Sequence, residues 1–146
     1  MESGGVVQEV VEGYDWPAAY ALMPQLRPHL SEAGFTSRYR EAHERDDYRL
    51  YGVFEDAQCV ALMGIRRLVD FLHGPHLYID DLVVADGARS RGLGAHLLAF
   101  AESLAAKQGG LGLRLCTGID YQPARRFYDR EGWKALAVAY KKGFPE

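Results

Sequence analysis

A short segment rich in arginine and glycine has the composition of an anion-binding turn. Residues 87–98 read GARSRGLGAHLL, and apolar stretches lie on both sides of the turn. Backbone N–H groups at the start of a helix bind phosphate, and glycines let the phosphate approach the backbone closely. Arg89 and Arg91 add positive charge at the rim. The segment therefore predicts a site for a phosphate-bearing cofactor, with a plain solvated helix start as the alternative.

The spacing of the glycines excludes two other phosphate-binding turns. Gly87 and Gly92 have the spacing of a mononucleotide P-loop, but Leu93 and Gly94 stand where that loop needs Lys and then Ser or Thr. A dinucleotide-binding turn needs its third glycine where this chain has Leu97. What remains is the pattern R-x-x-G-x-G between a strand and a helix. This pattern suits a pyrophosphate that takes no part in the chemistry and needs no metal ion.

Two adjacent carboxylates interrupt an apolar strand just before this turn. Asp80 and Asp81 lie within HLYIDDLVV, residues 76–84. Aspartate is depleted in strands and costly to bury, so the pair predicts a functional role. Because adjacent strand residues point to opposite faces, we expect the two carboxylates to act separately. An ion pair with Arg66 or Arg67 on the preceding strand is the structural alternative.

The elements that must position these residues form a mixed α/β layer. Three central strands in a row, joined by short turns, predict an antiparallel meander rather than an all-parallel, doubly wound sheet. We expect one domain over residues 1–146. The apolar periodicity predicts strands at 6–13, 48–56, 59–72, 76–84, 111–118 and 133–142. It predicts helices from Asp15 toward Leu30, with a break near Pro24 or Pro28, from the glycine turn to about Gln108, and at 121–131. Residues 36–46 are predicted as a short polar helix or a loop.

Composition narrows the class of protein. The chain has 146 residues, 48% hydrophobic and 25% charged, with a net charge of −3, which indicates a soluble globular domain without bulk attraction to nucleic acid. No apolar run approaches the roughly 20 residues of a membrane span, so we expect a cytoplasmic protein. Cys59 and Cys116 lie in apolar runs and predict buried free thiols. The five histidines are scattered in sequence, so we expect no metal site.

Two motifs together resemble a known family. YIDDLVVADGARSRGLGAHLLAFAE, residues 78–102, resembles the acetyl-coenzyme-A-binding segment of the GNAT superfamily of N-acetyltransferases. ARRFYDREGW, residues 124–133, resembles that family's A-x-x-F-Y-x-x-x-G-F segment, with Trp133 in the aromatic position. The distance between the motifs and the order of elements also match. The resemblance implies a GNAT-like fold with a splayed strand pair and helices on both faces, and acetyl-coenzyme A as co-substrate without a metal ion.

The resemblance also implies roles for particular residues. Tyr128 stands where family members protonate the coenzyme A sulfur, and packing as a core aromatic is its structural alternative. Backbone N–H groups near the end of the apolar strand polarise the thioester and pair with pantetheine. Arg125 either binds the cofactor's 3′-phosphate or faces solvent. Tyr121 stands where many members of the family carry a cofactor-contacting asparagine. The implied cofactor-binding set is Leu82, Val83, Val84, Arg89, Ser90, Arg91, Gly92, Leu93, Gly94, Ala95, Arg125 and Tyr128.

The acceptor side rests on the acidic pair. We favour Asp80 as the group that attracts the ammonium and takes its proton, with Asp81 second and His76 as an alternative base. The segment 24–47 contains two aromatic residues that could shape an acceptor site and four acidic residues, namely Phe35, Tyr39, Glu41, Glu44, Asp46 and Asp47. These residues predict an acidic, aromatic rim for a cationic amine, and a polar surface helix is the alternative.

We therefore expect transfer of an acetyl group to a primary amine by direct attack. The acceptor is a small molecule or a peptide, and neither nucleic acid nor membrane is an expected partner, while a homodimer is left open. The alternatives are a coenzyme A-binding sensor without turnover, or a protein or peptide N-acetyltransferase.

Overall fold

The computed structural model describes residues 5–143, which fall into two compact units divided between Arg114 and Leu115. The single domain over 1–146 stays a prediction. The elements are β1 (Gln8–Val10), α1 (Trp16–Leu22), a short 3-10 turn (Met23–Gln25), α2 (Glu32–Asp46), β2 (Arg49–Glu55), β3 (Gln58–Asp70), β4 (Gly74–Val84), a second 3-10 turn (Asp86–Ala88), α3 (Leu93–Lys107), β5 (Leu113–Leu115) and α4 (Gln122–Arg130).

The predicted meander is confirmed. The five strands lie in the order β1-β2-β3-β4-β5, and each of the first three pairs is antiparallel. Beside β4, the Leu111 N–H donates to the Pro75 carbonyl over 2.8 Å and the Leu77 N–H to the Gly112 carbonyl over 3.2 Å. These bonds advance in the same direction along both segments, which is the parallel pattern. The sheet is therefore mixed, as predicted.

Helix α1 begins and breaks where the sequence predicts, whereas α2 begins earlier. The break near Pro24 is present, since α1 ends at Leu22 and a 3-10 turn follows. Asp15 is the N-cap residue of α1, but its side chain makes no capping hydrogen bond, and its carboxylate accepts a bond from Gln8 instead. The polar segment at 36–46 is the second part of a longer helix, because Ser31 caps α2 by accepting from the Gly34 N–H at 3.0 Å.

The aromatic residues assigned to an acceptor rim belong to the core. Phe35 and Tyr39 are 4% and 8% exposed and each packs on Trp16 with ring centroids 4.7 Å apart. They face inward because α2 covers the sheet through this aromatic cluster. The expectation that they shape an acceptor site was therefore wrong.

The second unit is less regular than predicted. Helix α4 appears at the predicted place, and β5 covers only part of 111–118. Residues 133–143 contain no strand, although alanine alternates with larger apolar residues over 135–140, and Leu136, Val138 and Tyr140 are exposed there. Alternation describes an extended backbone, but a strand also needs a partner ladder that a local pattern does not supply.

No helix within residues 5–143 combines the length and the apolar character that crossing a bilayer requires.

Candidate active site

The glycine turn has the backbone geometry of an anion cradle. Between β4 and α3, Ser90 and Gly92 adopt left-handed conformations with φ of 68° and 77°. Gly92 is the N-cap of α3 and no side chain caps the helix there. The first N–H groups of α3, contributed from Leu93 onward, therefore meet no capping side chain and suit an anion.

Both arginines of the turn are held by carboxylates. Arg91 donates to both oxygens of Glu55, and this pairing lowers the pKa of Glu55 and raises that of Arg91. Arg89 lies 3.0 Å from Asp86 and is more than half exposed. Because exposed ion pairs contribute little, a pyrophosphate can exchange with these carboxylates.

The outer edge of β4 leads into this turn. The Ala85 N–H donates to the Val60 carbonyl on β3 over 2.8 Å, so by alternation the backbone groups of Leu82 and Val84 face away from β3. Gln25 lies along that edge. Its amide nitrogen donates to the Val84 carbonyl over 2.6 Å, and its amide oxygen accepts from the Asp86 N–H at 3.0 Å. No sequence motif marks Gln25, which is 59 and 61 residues away from its partners.

The acidic pair sits on a β-bulge. Gly64 pairs with Asp81 and Ile65 pairs with Ile79, so Asp80 is an extra residue on β4. Strict alternation therefore does not hold at this point. The opposite-face argument for the two carboxylates therefore fails at the bulge, while their separate roles stay a prediction.

Each carboxylate of the pair is bound by its own arginine. Arg66 donates from Nε and Nη2 to the two oxygens of Asp80, at 2.7 and 2.9 Å. This is the ion pair given as the alternative to a catalytic Asp80. Arg27 donates from Nε and Nη2 to one oxygen of Asp81, at 3.1 and 2.9 Å, and also from Nη2 to the Asp80 carbonyl at 3.0 Å. No sequence motif marks Arg27, which is 54 residues away from Asp81.

Tyr48 completes the surroundings of Asp81. Its hydroxyl donates to the second Asp81 oxygen at 2.6 Å. Burial raises the pKa of Tyr48 well above its usual 10, and the charges of Asp81 and Asp80 raise it further. The tyrosine ring fits because position 64 is glycine, where a Cβ atom would lie 1.8 Å from the Tyr48 hydroxyl oxygen.

The acidic residues of the predicted rim are largely neutralised. Glu41 lies between Arg38 and Arg45 at 3.7 and 3.8 Å, and Asp46 is 3.9 Å from Arg66. Asp47 is 2.9 Å from Arg49. These pairs describe a polar helix surface of mixed charge, which was the alternative interpretation of this segment.

Tyr128 lies on α4 in the second unit. Its ring contacts Phe127 and Trp133, with centroids 5.1 and 5.6 Å apart, and its carbonyl accepts from the Trp133 N–H at 2.9 Å. Burial raises the pKa of Tyr128 to about 12. The phenol is therefore protonated at neutral pH and is a competent donor. In the same unit Arg125 donates to the Ile119 carbonyl at 2.9 Å.

Three side chains at the β3–β4 turn lie closer together than the sequence analysis expected. Asp70, His73 and His76 place ligand atoms within 4.8 Å of one another. The spacing D-x-x-H-x-x-H across a turn is the sequence signal for this cluster. His76 is buried, and Arg114 donates to its Nε2 at 3.2 Å. A guanidinium therefore already faces this group, which opposes a second cation there.

The cysteines differ from one another. Cys59 is buried, and burial raises the pKa of its thiol to about 12. Cys116 is exposed, which corrects the expectation that both thiols are buried. A thiol with the pKa of Cys59 is a poor nucleophile at neutral pH.

Comparisons with known proteins agree on one family. The sequence model described as the Acetyltransferase (GNAT) family matches residues 14–133. An uncharacterized N-acetyltransferase, YhdJ of Bacillus subtilis, is 29% identical over 93% of this chain and 96% of its own length. The aminoalkylphosphonate N-acetyltransferase of Salmonella typhimurium is 43% identical over 65% of this chain and 61% of its own length.

Solved structures show the same fold. The aminoglycoside N-acetyltransferase AAC(6')-Iy in complex with CoA superposes with a TM-score of 0.81 at 15% identity, covering 94% of this chain and 93% of that one. A transcriptional regulator from Bacillus halodurans reaches 0.81 at 20% identity, covering 95% and 99%. The chain therefore belongs to the Acetyltransferase (GNAT) family and is an acyl-coenzyme-A-dependent N-acetyltransferase.

Proposed function

We propose that the protein transfers an acetyl group from acetyl-coenzyme A to a primary amine by direct nucleophilic attack. The observation that carries this proposal is the glycine turn, whose left-handed residues lead from the edge of β4 into the uncapped start of α3. The helix start offers N–H groups to a pyrophosphate. The outward groups of Leu82 and Val84 offer an edge along which pantetheine amides pair as an added strand.

The reaction needs three groups besides the cofactor. The neutral amine forms a bond to the thioester carbon, and the Leu82 N–H stabilises the negative charge that develops on the carbonyl oxygen. When the carbon–sulfur bond breaks, Tyr128 donates its proton to the departing thiolate. The proton lost by the ammonium goes to the acidic pair, directly or through water. The products are the N-acetylated amine and free coenzyme A.

Asp81 is the carboxylate of the pair that can more readily change partners. Its cation, Arg27, is half exposed, whereas both oxygens of Asp80 are held by Arg66, which is 27% exposed. Asp81 also keeps its Tyr48 bond while Arg27 moves, so its second oxygen stays fixed. We therefore place the proton acceptor at Asp81 rather than at Asp80, the residue favoured from sequence.

A small-molecule acceptor has support from the relatives. The Salmonella relative is named for an aminoalkylphosphonate, and a streptothricin acetyltransferase of Escherichia coli is 26% identical over 91% of this chain and 80% of its own length. Both names describe small amines rather than proteins. Peptide amines are the alternative that a substrate panel separates.

Thiol release measures this function directly. The protein is given acetyl-coenzyme A and a panel of polyamines, amino sugars, amino acids and peptides, and free coenzyme A is measured with a thiol reagent. We expect turnover with at least one small amine and intersecting double-reciprocal plots, because direct transfer requires both substrates on the enzyme together. Full activity of Cys116→Ala is expected. Cofactor binding without thiol release from any amine would instead establish a sensor, and parallel plots would establish an acyl-enzyme.

A further inference from the structure

The acidic pair is charge-balanced by cations of the same chain. Asp80 and Asp81 face Arg66 and Arg27, at closest distances of 2.7 and 2.9 Å, so each of the two carboxylates has a cation beside it. Asp46 also lies 3.9 Å from Arg66. The phenol of Tyr48 is neutral, because burial and the two carboxylates raise its pKa. An amine that replaces Arg27 on Asp81 leaves that guanidinium without its carboxylate and available to another anion.

Arg27 is placed to take a new partner. It follows the 3-10 turn after α1, and its side chain is 50% exposed, whereas that of Asp81 is 14% exposed. Its bonds to described residues use Nε and Nη2. A guanidinium presents five N–H donors in a fork that matches carboxylate and phosphonate oxygens. Arg27 can therefore bind an oxyanion from the solvent side while it stays beside the acidic pair.

We propose that the acceptor carries an oxyanion a few bonds from its primary amine, with the ammonium bound by Asp81 and the oxyanion bound by Arg27. This inference rests on the proposed function. When a zwitterionic acceptor binds, the Arg27–Asp81 ion pair of the protein is replaced by two ion pairs between protein and acceptor, so every one of these charges keeps a partner. A polyamine brings only positive charge to a cluster whose carboxylates are already paired with arginines. An amine whose far end is uncharged leaves Arg27 without an anionic partner.

The test compares acceptors of similar size that differ in the group at the far end. Initial rates are measured with 2-aminoethylphosphonate, β-alanine, ethanolamine and 1,3-diaminopropane at saturating acetyl-coenzyme A. We expect kcat/KM for an acceptor with an oxyanion to exceed that for ethanolamine by about tenfold or more, the usual effect of a charged hydrogen bond. Equal or better use of the diamine would overturn the proposal. Absence of turnover with every amine would instead count against the proposed function.

An Arg27 variant separates recognition from folding. In Arg27→Gln we expect KM for the oxyanion acceptor to rise about tenfold and KM for ethanolamine to stay level or fall, since the competing cation on Asp81 is gone, and we expect Arg27→Lys to recover part of the loss. Arg40→Gln is the matched control, since Arg40 makes a similar exposed pair with Glu12 and should leave both values unchanged. An equal loss for both acceptors in Arg27→Gln would show a structural role and overturn the proposal.

Discussion

At the scale of the residue, the proposed acid step depends on a phenol that stays protonated at neutral pH. Burial raises the pKa of Tyr128 to about 12, so the phenol carries its proton throughout the neutral range. A hydroxyl of this kind cannot act as a base at neutral pH but can protonate a thiolate. The same ring packs against Phe127 and Trp133, so the core role predicted as its alternative also applies to it.

Tyr128→Phe removes the proposed proton donor and keeps the ring. We expect kcat to fall about a hundredfold, at the lower end of the range for a general acid, while the Kd for acetyl-coenzyme A changes by less than about twofold. Single-turnover kinetics and calorimetric titration of the cofactor measure the two quantities.

An exposed tyrosine of the same unit provides the control. Tyr140 is 94% exposed, and Tyr140→Phe should match the parent protein in both measurements. Unchanged kcat in Tyr128→Phe contradicts the acid role, and weakened cofactor binding assigns the residue to the binding site instead.

Only part of the acidic cluster could be predicted from the sequence. Adjacent aspartates in an apolar strand are conspicuous in any sequence, so Asp80 and Asp81 could be found without a structure. Their partners could not, because Arg27 and Tyr48 are 54 and 33 residues away from Asp81 and belong to ordinary polar stretches. Such long-range partners depend on how α1 and the end of α2 meet the sheet.

At the scale of the element, the β3–β4 pair positions the cluster through two local irregularities. The bulge at Asp80 interrupts the alternation of side chains at the acidic pair, and Gly64 on the facing strand makes room for Tyr48, which donates to Asp81. The alternation of side chains in a sequence does not reveal a bulge, since it contains no sign of the extra residue. This explains why the strands could be predicted and the faces of the aspartates could not.

Gly64→Ala tests this packing. The added Cβ would lie 1.8 Å from the Tyr48 hydroxyl oxygen and 2.4 Å from the adjacent ring carbon, so the ring must move and its bond to Asp81 must break. We expect a loss of about 1–3 kcal/mol in the free energy of unfolding, measured by urea denaturation, together with reduced acetyl transfer.

Gly87→Ala is the matched control for this substitution. A Cβ at Gly87 meets nothing within 4 Å and its φ is not left-handed, so stability should change by less than about 0.5 kcal/mol. Equal stability of Gly64→Ala and the parent protein would show that Tyr48 has room to withdraw and that its contact with Asp81 is not fixed by packing.

At the scale of the whole molecule, the fold was more predictable than the segment after α4. Strands, meander and helix order follow from apolar periodicity, which reports burial on one face of a continuous core. Residues 135–140 alternate alanine with larger apolar side chains without forming a strand, because pairing with a partner strand is a property of the assembled sheet. Local patterns predict what a segment prefers, and only the assembled chain determines whether a partner is present.

The buried phenols also predict how stability depends on pH. In the folded protein the pKa of Tyr48 is well above 10 and that of Tyr128 is about 12, whereas both return to about 10 when the chain unfolds. A folded pKa raised above the unfolded value gives stability that is complete below pH 10. Above pH 10 the unfolded chain releases these protons first, so that contribution is lost as the pH rises through the folded pKa values.

We expect the free energy of unfolding to fall by up to about 1.4 kcal/mol per pH unit for each phenol. Urea denaturation between pH 8 and about 11 measures the slope, and Tyr48→Phe should make it shallower even though the variant starts from lower stability. Identical slopes in the variant and the parent protein would show that Tyr48 titrates in the folded state as it does in the unfolded chain, and its bond to Asp81 would then not be the enclosed contact described above.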